Sequence, residues 1–198
     1  MAADTESQLD DPDAALLLLV RRAREGDLQA FEQLVTKYQN RILADCRFLT
    51  RDENNSEDLA QEVFVKAFFA IKTFEGRSSF RHWLQRIKVH HCLNHIKKRS
   101  GKDFLSIDDE GVEGYRQLHV PASAHRDMEA KDSGSRIETI LQSMPASLRI
   151  PLVMRDMDEL SYEEIAKSLG IGLSAVKMRI KRAREQFRSL YGAEEGKA

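Results

Sequence analysis

Apolar residues recur along this chain at steps of three and four, the period of helices, so helices are the expected elements throughout. Pro12 to Glu25 reads as a first helix stopped by Gly26, with Asp27 capping the next. There Phe31, Leu34, Val35, Tyr38, Ile42 and Leu49 follow one stripe, better explained as core than as a cofactor box. Asn54, Asn55 and Ser56 form a polar break and cap. The helix after them turns Leu59, Val63, Ala67 and Ile71 inward and Asp58, Gln61, Glu62 and Lys66 outward. Phe64, Phe68 and Phe69 cannot all share that stripe, so some aromatic surface is left for a neighbouring helix or a partner. Glu75-Gly76 is a turn, and Ser78 or Ser79 caps a long helix whose inner side takes Phe80, Trp83, Leu84, Ile87, Cys92 and Ile96.

The periodicity fades over residues 101–134, rich in Gly, Ser, Pro and acids, and resumes near Ser135. Ile137, Ile140, Leu141 and Met144 share a face. Pro145 interrupts, Ser147 is placed to cap the next helix, and Pro151 then falls in its first turn, where a missing amide does no harm. Leu152, Val153 and Met157 lead on. Ser161 and Glu164 have the S-x-x-E spacing of a capping box, followed by inward Ile165, Ala166 and Leu169 and a stop at Gly170. Ile171 and Leu173 plug the angle, and Ser174 is positioned to cap a second helix with Val176, Ile180, Ala183 and Phe187 inside. Lys177, Lys181, Arg182, Arg184 and Arg188 fall largely outside. A short helix holding a cationic helix at a steep angle presents side chains to a DNA major groove. A cationic face alone is as often mere solvated surface; the ordered caps and glycine turn tip the balance toward DNA. By position Lys177, Met178, Lys181 and Arg182 reach base edges, while Ser174, Arg179 and Arg184 grip phosphates.

Charge sharpens this picture. The net charge of −1 conceals strong segregation. Residues 1–13 carry five acids and no base; residues 76–102 carry eight Lys/Arg and four His with no acid; residues 103–132 carry eight acids against three bases. Two polyanion-binding surfaces joined by an acidic connector fit such a distribution. Arg77, Arg81, Arg86, Lys88, Lys97, Lys98 and Arg99, interleaved with Phe80, Trp83 and His90, suit single-stranded or distorted nucleic acid, where bases stack on rings and cations follow phosphates. The competing explanation is an ordinary helix with a buried Trp and snorkelling Arg side chains. Cys46 and Cys92 lack any C-x-x-C spacing and read as buried thiols of a reducing compartment. His91 and His95 sit one turn apart but no third ligand is placed by spacing, so no metal or other cofactor is expected. No catalytic constellation appears, so an enzyme is not expected. The apolar run Ala14 to Val20 is too short to span a bilayer and follows acids, which predicts a cytoplasmic protein without membrane insertion.

These segments together resemble the extracytoplasmic-function (ECF) class of bacterial sigma factors, promoter-specificity subunits of RNA polymerase. Two motifs carry the resemblance across Gly26 to Gly192: DLAQEVFVKAF with FEGRSSFRHWLQRI, and LSYEEIAKSLGIGLSAVKMRIKRARE. It implies an all-α fold of two small helical domains on a flexible acidic linker: a tail at 1–13, a region 2-like domain at 14–100, the linker at 101–134, a region 4-like four-helix unit at 135–192, and a tail at 193–198. It implies that Asp58, Gln61, Glu62 and Phe64 dock on the β′ clamp helices of core polymerase, whose β flap is a further partner. The −10 element would meet Phe74, Arg77, Arg81, Trp83, Arg86, Lys88, His90, Asn94, Lys97 and Lys98. The −35 element would meet the second helix of the helix-turn-helix. An anti-sigma factor is an implied regulator. His90 stands where members carry Asn, and Met178 where Ser is common, which leaves base preference open at both elements.

A linker of about 33 residues reaches up to ~110 Å extended, enough for promoter elements ~70 Å apart. The free chain is therefore expected to bind promoter DNA weakly until polymerase fixes both modules. The rival is an autonomous regulator, the same C-terminal module joined to a sensing or dimerising domain within residues 14–99. It would bind paired half-sites tightly without polymerase.

Overall fold

The structure is a computed structural model that describes residues 12–100 and 132–195. Residues 1–11 of the expected acidic tail, nearly all of the expected linker and residues 196–198 lie outside that set. Every regular element among the described residues is helical. Helices α1 (Pro12–Arg24), α2 (Leu28–Thr50), α3 (Glu53–Ala70) and α4 (Phe80–Ser100) come first; α5 (Asp132–Ser143), α6 (Ala146–Leu152), α7 (Tyr162–Leu169) and α8 (Leu173–Glu195) follow. They form two compact units, one of α1, α3 and the greater part of α2 and α4, the other centred on α5–α8.

Helix α2 starts where Asp27 accepts the Ala30 amide at 3.1 Å, and the chain enters it through Gly26 at φ 100. The inward stripe is as expected for Phe31, Leu34, Ile42 and Leu49, all buried, whereas Val35 and Tyr38 are only half-buried. The cap of α3 falls earlier than the Asn54–Ser56 break. Asp52 is the capping residue, its carboxylate accepting the Asn55 amide at 3.3 Å and the Asn55 side-chain amide at 2.8 Å. An Asp ahead of the polar run outcompetes the residues inside it, a cap worth about 1 kcal/mol. Leu59, Val63, Ala67 and Ile71 are buried, and Phe69 is left 77% exposed. Helix α4 is capped by Ser79, which accepts the His82 amide at 3.2 Å. Ile87 and Ile96, expected inside, are half-buried.

In the second unit α8 packs on α5, α6 and α7. Ile140, Leu141 and Met144 are buried as expected, but Ile137 stays 37% exposed. Pro145, at φ −61 and ψ 147, starts α6 itself, so Ser147 lies buried inside the helix instead of capping it. Pro151 consequently falls near the end of α6. It has no amide to donate to the carbonyl four residues back, and the chain widens directly into a π-helical turn, Val153–Met157. Arg149 is buried there, donating to the Met144 carbonyl at 3.0 Å, and burial pushes its guanidinium down to about 9.

Candidate nucleic-acid interface

The helix-turn-helix forms as its spacing requires. The Glu164 amide donates to the Ser161 hydroxyl at 3.2 Å, and the Ser161 amide donates to the Glu164 carboxylate at 2.9 Å. Gly170 ends α7 in the left-handed region, φ 70, where a Cβ would be strained, and its amide donates to the Ala166 carbonyl at 2.9 Å. Helix α8 then begins one residue before Ser174, with the Val176 amide donating to the Gly172 carbonyl at 3.1 Å. Ser174 is thus an exposed residue of the first turn, not the cap. Val176, Ile180 and Ala183 are buried, and Phe187 is half-buried.

On the opposite face Ser174, Lys177, Met178, Lys181, Arg182 and Arg188 are exposed. Two of the anticipated phosphate contacts do not join them. Arg179 is 9% exposed on the inner face between Val176 and Ile180, because the helical period carries residue 179 inward. Arg184 is half-buried and engaged by Asp156, whose carboxylate accepts its Nε at 2.9 Å and its Nη2 at 2.5 Å.

Helix α4 divides its cations more sharply. Arg86, His90, Asn94, Lys97 and Lys98 are exposed and recur at three- and four-residue steps, so they line one face. Half-buried Trp83 continues that face toward the helix start, and Arg81 is half-buried. Arg77 is exposed and pairs with Glu75 at 2.6 Å. Lys88 is on the other side. It is fully buried, its Nζ donating at 3.0 Å to the Asp45 carboxylate, which also accepts Gln85 Nε2 at 3.2 Å. Arg41 Nε lies 3.1 Å from the second carboxylate oxygen. Lys88 therefore joins α4 to α2 and does not reach nucleic acid from this position. Phe74 is also a correction: at 5% exposed it is folded into a ring cluster, 5.9 Å from Phe80 and 5.4 Å from Trp83 between centroids. Four rings in edge and tilted contact, counting Tyr38 at 5.7 Å from Phe80, bury apolar area that a lone exposed Phe would waste.

On α3 Asp58, Gln61 and Glu62 are exposed and Phe64 is half-buried. Glu62 lies 2.7 Å from His91 Nε2, so this histidine faces a carboxylate across two helices. No group of three His, Cys, Asp or Glu side chains converges on a common point among the described residues. Cys46 and Cys92 are buried free thiols. Spacing did not single out Val65, which continues the outward stripe from Asp58, Gln61 and Glu62 to Phe69 and is 54% exposed. Its place, three or four residues beyond Gln61 and Glu62, was the available signal.

An acid-free cationic helix face in one unit and a helix-turn-helix reader in the other define a two-module nucleic-acid-binding protein. Residues 34–101 match the Sigma-70 region 2 family and residues 135–187 the Sigma-70 region 4 family. The chain is 36% identical over 171 residues to the RNA polymerase sigma-H factor of Pseudomonas aeruginosa, covering 84% of this chain and 89% of that one. It is 32% identical over 173 residues to the ECF RNA polymerase sigma-E factor of Escherichia coli, covering 85% and 90%. Its fold is similar to the sigma factor RpoE of Bartonella quintana, solved with the anti-sigma factor NepR, at TM-score 0.56 and 22% identity over 83% of this chain and 98% of that one. The same TM-score, at 24% identity over 89% and 96%, relates it to CnrH solved with the cytosolic domain of CnrY. The chain belongs to the ECF sigma factors of RNA polymerase.

Proposed function

We propose that this chain directs core RNA polymerase to specific promoters by reading the −35 element with α8 and holding the melted −10 strand on α4. The observation that carries this is the pair of exposed cationic stripes, each on a single helix face, in a chain with both sigma regions. On α4 the binding set is Arg77, Arg81, Trp83, Arg86, His90, Asn94, Lys97 and Lys98. A flat ring followed by cations one turn apart fits a strand whose bases stack while its phosphates are followed. On α8 the set is Ser174, Lys177, Met178, Lys181 and Arg182, in the first turns where a recognition helix meets base edges. Residues 14–100 and 135–192 are the two working domains.

Asp58, Gln61, Glu62 and Phe64 bind the β′ clamp helices of core polymerase, with Val65 and Phe69 adding apolar contact beside these charges. The β flap engages the second domain. An anti-sigma factor restrains the chain; two similar folds were solved with such partners or a partner's cytosolic domain. The chain acts in the cytoplasm and performs no catalysis of its own. No helix among the described residues is long and apolar enough to cross a membrane. An autonomous regulator would need a sensing domain in the front half, but that stretch matches Sigma-70 region 2 instead.

The test is reconstitution. Core polymerase with the purified chain should initiate at discrete sites on genomic promoter DNA and render −10 thymines reactive to permanganate. Core polymerase alone should do neither. Initiation indifferent to the chain would contradict the proposal.

A further inference from the structure

Three elements of the second unit meet in one polar knot. Asp156, in the π-helical turn, takes both forks of Arg184 from α8, 28 residues further on. Asp156 above all, with the Tyr162 side chain of α7 as a lesser influence, holds the guanidinium above its ordinary range. Arg155, also in the π-helical turn, lies 4.8 Å over the Tyr162 ring and donates to the Leu160 carbonyl at 2.8 Å. Lys177 Nζ, an exposed cation of the reader face, is 6.0 Å from the same ring. The π-helical turn, α7 and α8 are thus tied at a point two residues beyond Arg182.

Apolar packing along α8 is non-directional and sets its inclination loosely. A two-pronged guanidinium–carboxylate bridge has a fixed geometry. We propose that Arg184 is a positioning residue: its fork on Asp156 fixes the inclination of α8 so that Lys177, Lys181 and Arg182 reach the duplex together. This rests on the −35-reading role of α8 proposed above. The alternative is that Arg184 grips a phosphate and Asp156 is only a resting partner.

These two roles give opposite signs for Asp156→Asn. Removing an acid beside a polyanion, and freeing Arg184 for phosphate, strengthens DNA binding if Arg184 is a phosphate contact. It weakens binding if Asp156 is the anchor.

The experiment uses the full chain assembled on core polymerase, with a promoter whose −35 element is intact or scrambled, over a range of salt. Asp156→Asn, Arg184→Ala and Arg184→Lys should each weaken binding about five- to tenfold on the intact promoter and less than about twofold on the scrambled one. The salt slope should stay unchanged, whereas loss of a phosphate contact lowers it by about 0.9. The charge swap Asp156→Arg with Arg184→Asp should restore most of the loss, which no phosphate role of residue 184 allows. Asp156→Asn binding as tightly as the parent or tighter overturns the proposal. So does an Arg184→Lys variant that binds normally, since lysine keeps the charge but not the fork. Arg182→Ala is run alongside. A loss there with none in Asp156→Asn overturns the bridge alone, and no loss in either overturns the underlying role of α8.

Discussion

Helices α4 and α8 carry comparable numbers of cations, yet the two helices use them differently. On α4 one lysine, Lys88, is withdrawn completely and its charge matched by Asp45 across the core, while the exposed Arg86, Lys97 and Lys98 follow a single face. On α8 Arg179 is buried and Arg184 is held by Asp156, and the reader face is left to the first turns. A melted strand is flexible and can follow a charged ridge, so α4 needs mainly a continuous face. A duplex groove is rigid, so α8 needs its angle fixed. Counting cations on a helix therefore overstates its binding surface, and the withdrawn ones secure the geometry of the rest.

The largest test of this contrast is Lys88. Replacing it by Met leaves the fully buried Asp45 carboxylate with only the half-exposed Arg41 and the neutral Gln85 amide as partners, and the chain should lose about 3 kcal/mol in chemical denaturation. The double variant Asp45→Leu with Lys88→Met should recover most of that loss, because neither charge is then left unpaired. A Lys88→Met variant that melts normally but fails at promoters would return Lys88 to the binding face. Lys97→Ala with Lys98→Ala should behave in the opposite way. Its denaturation should match the parent, but with core polymerase on a pre-melted −10 template the salt slope should fall by about 1.4.

Smaller effects sharpen the α8 side. Ser161→Ala removes the capping hydroxyl from α7 and should cost about 1 kcal/mol in a denaturant titration. Glu159 occupies the left-handed region at φ 62 between the π-helical turn and α7. Glu159→Gly should stabilise by about 0.5 kcal/mol, since relief of the steric cost exceeds the added freedom of the unfolded chain. The smallest is Asp27, whose carboxyl the Ala30 amide, then the Arg22 guanidinium, hold below its ordinary 3.8. Its folded pKa is depressed, so its contribution is present above 3.8 and lost as the pH falls through the lower folded value. Asp27→Asn should therefore flatten the acid end of the stability profile.

What the sequence revealed and what it hid divide along physical lines. The capping box at Ser161 and Glu164, the Gly170 stop and the inward Val176–Ile180–Ala183 stripe are local, so spacing disclosed them. The place of Lys88 depends on Asp45, 43 residues earlier, and no local pattern announces a partner across two helices. Period places Lys88 between the buried Leu84 and Cys92, but a lysine on such a face ordinarily extends its ammonium outward to water. Phe74 followed the family's expectation outward, while its ring neighbours Phe80 and Trp83, six and nine residues on, drew it inward. The caps misjudged at Asn54–Ser56, Ser147 and Ser174 all lay past the true start, at Asp52, Pro145 or Gly172, and only Asp52 makes a side-chain cap.

The most direct test of the two-surface account is a comparison of two variants on two templates. Core polymerase is assembled with Arg182→Ala or with Lys97→Ala and Lys98→Ala, and binding is measured on promoters with the −35 element intact or scrambled. The Arg182→Ala loss should vanish on the scrambled template, and the Lys97/Lys98 loss should persist on both. Equal losses for both variants on every template would show a single diffuse electrostatic attraction and contradict the account.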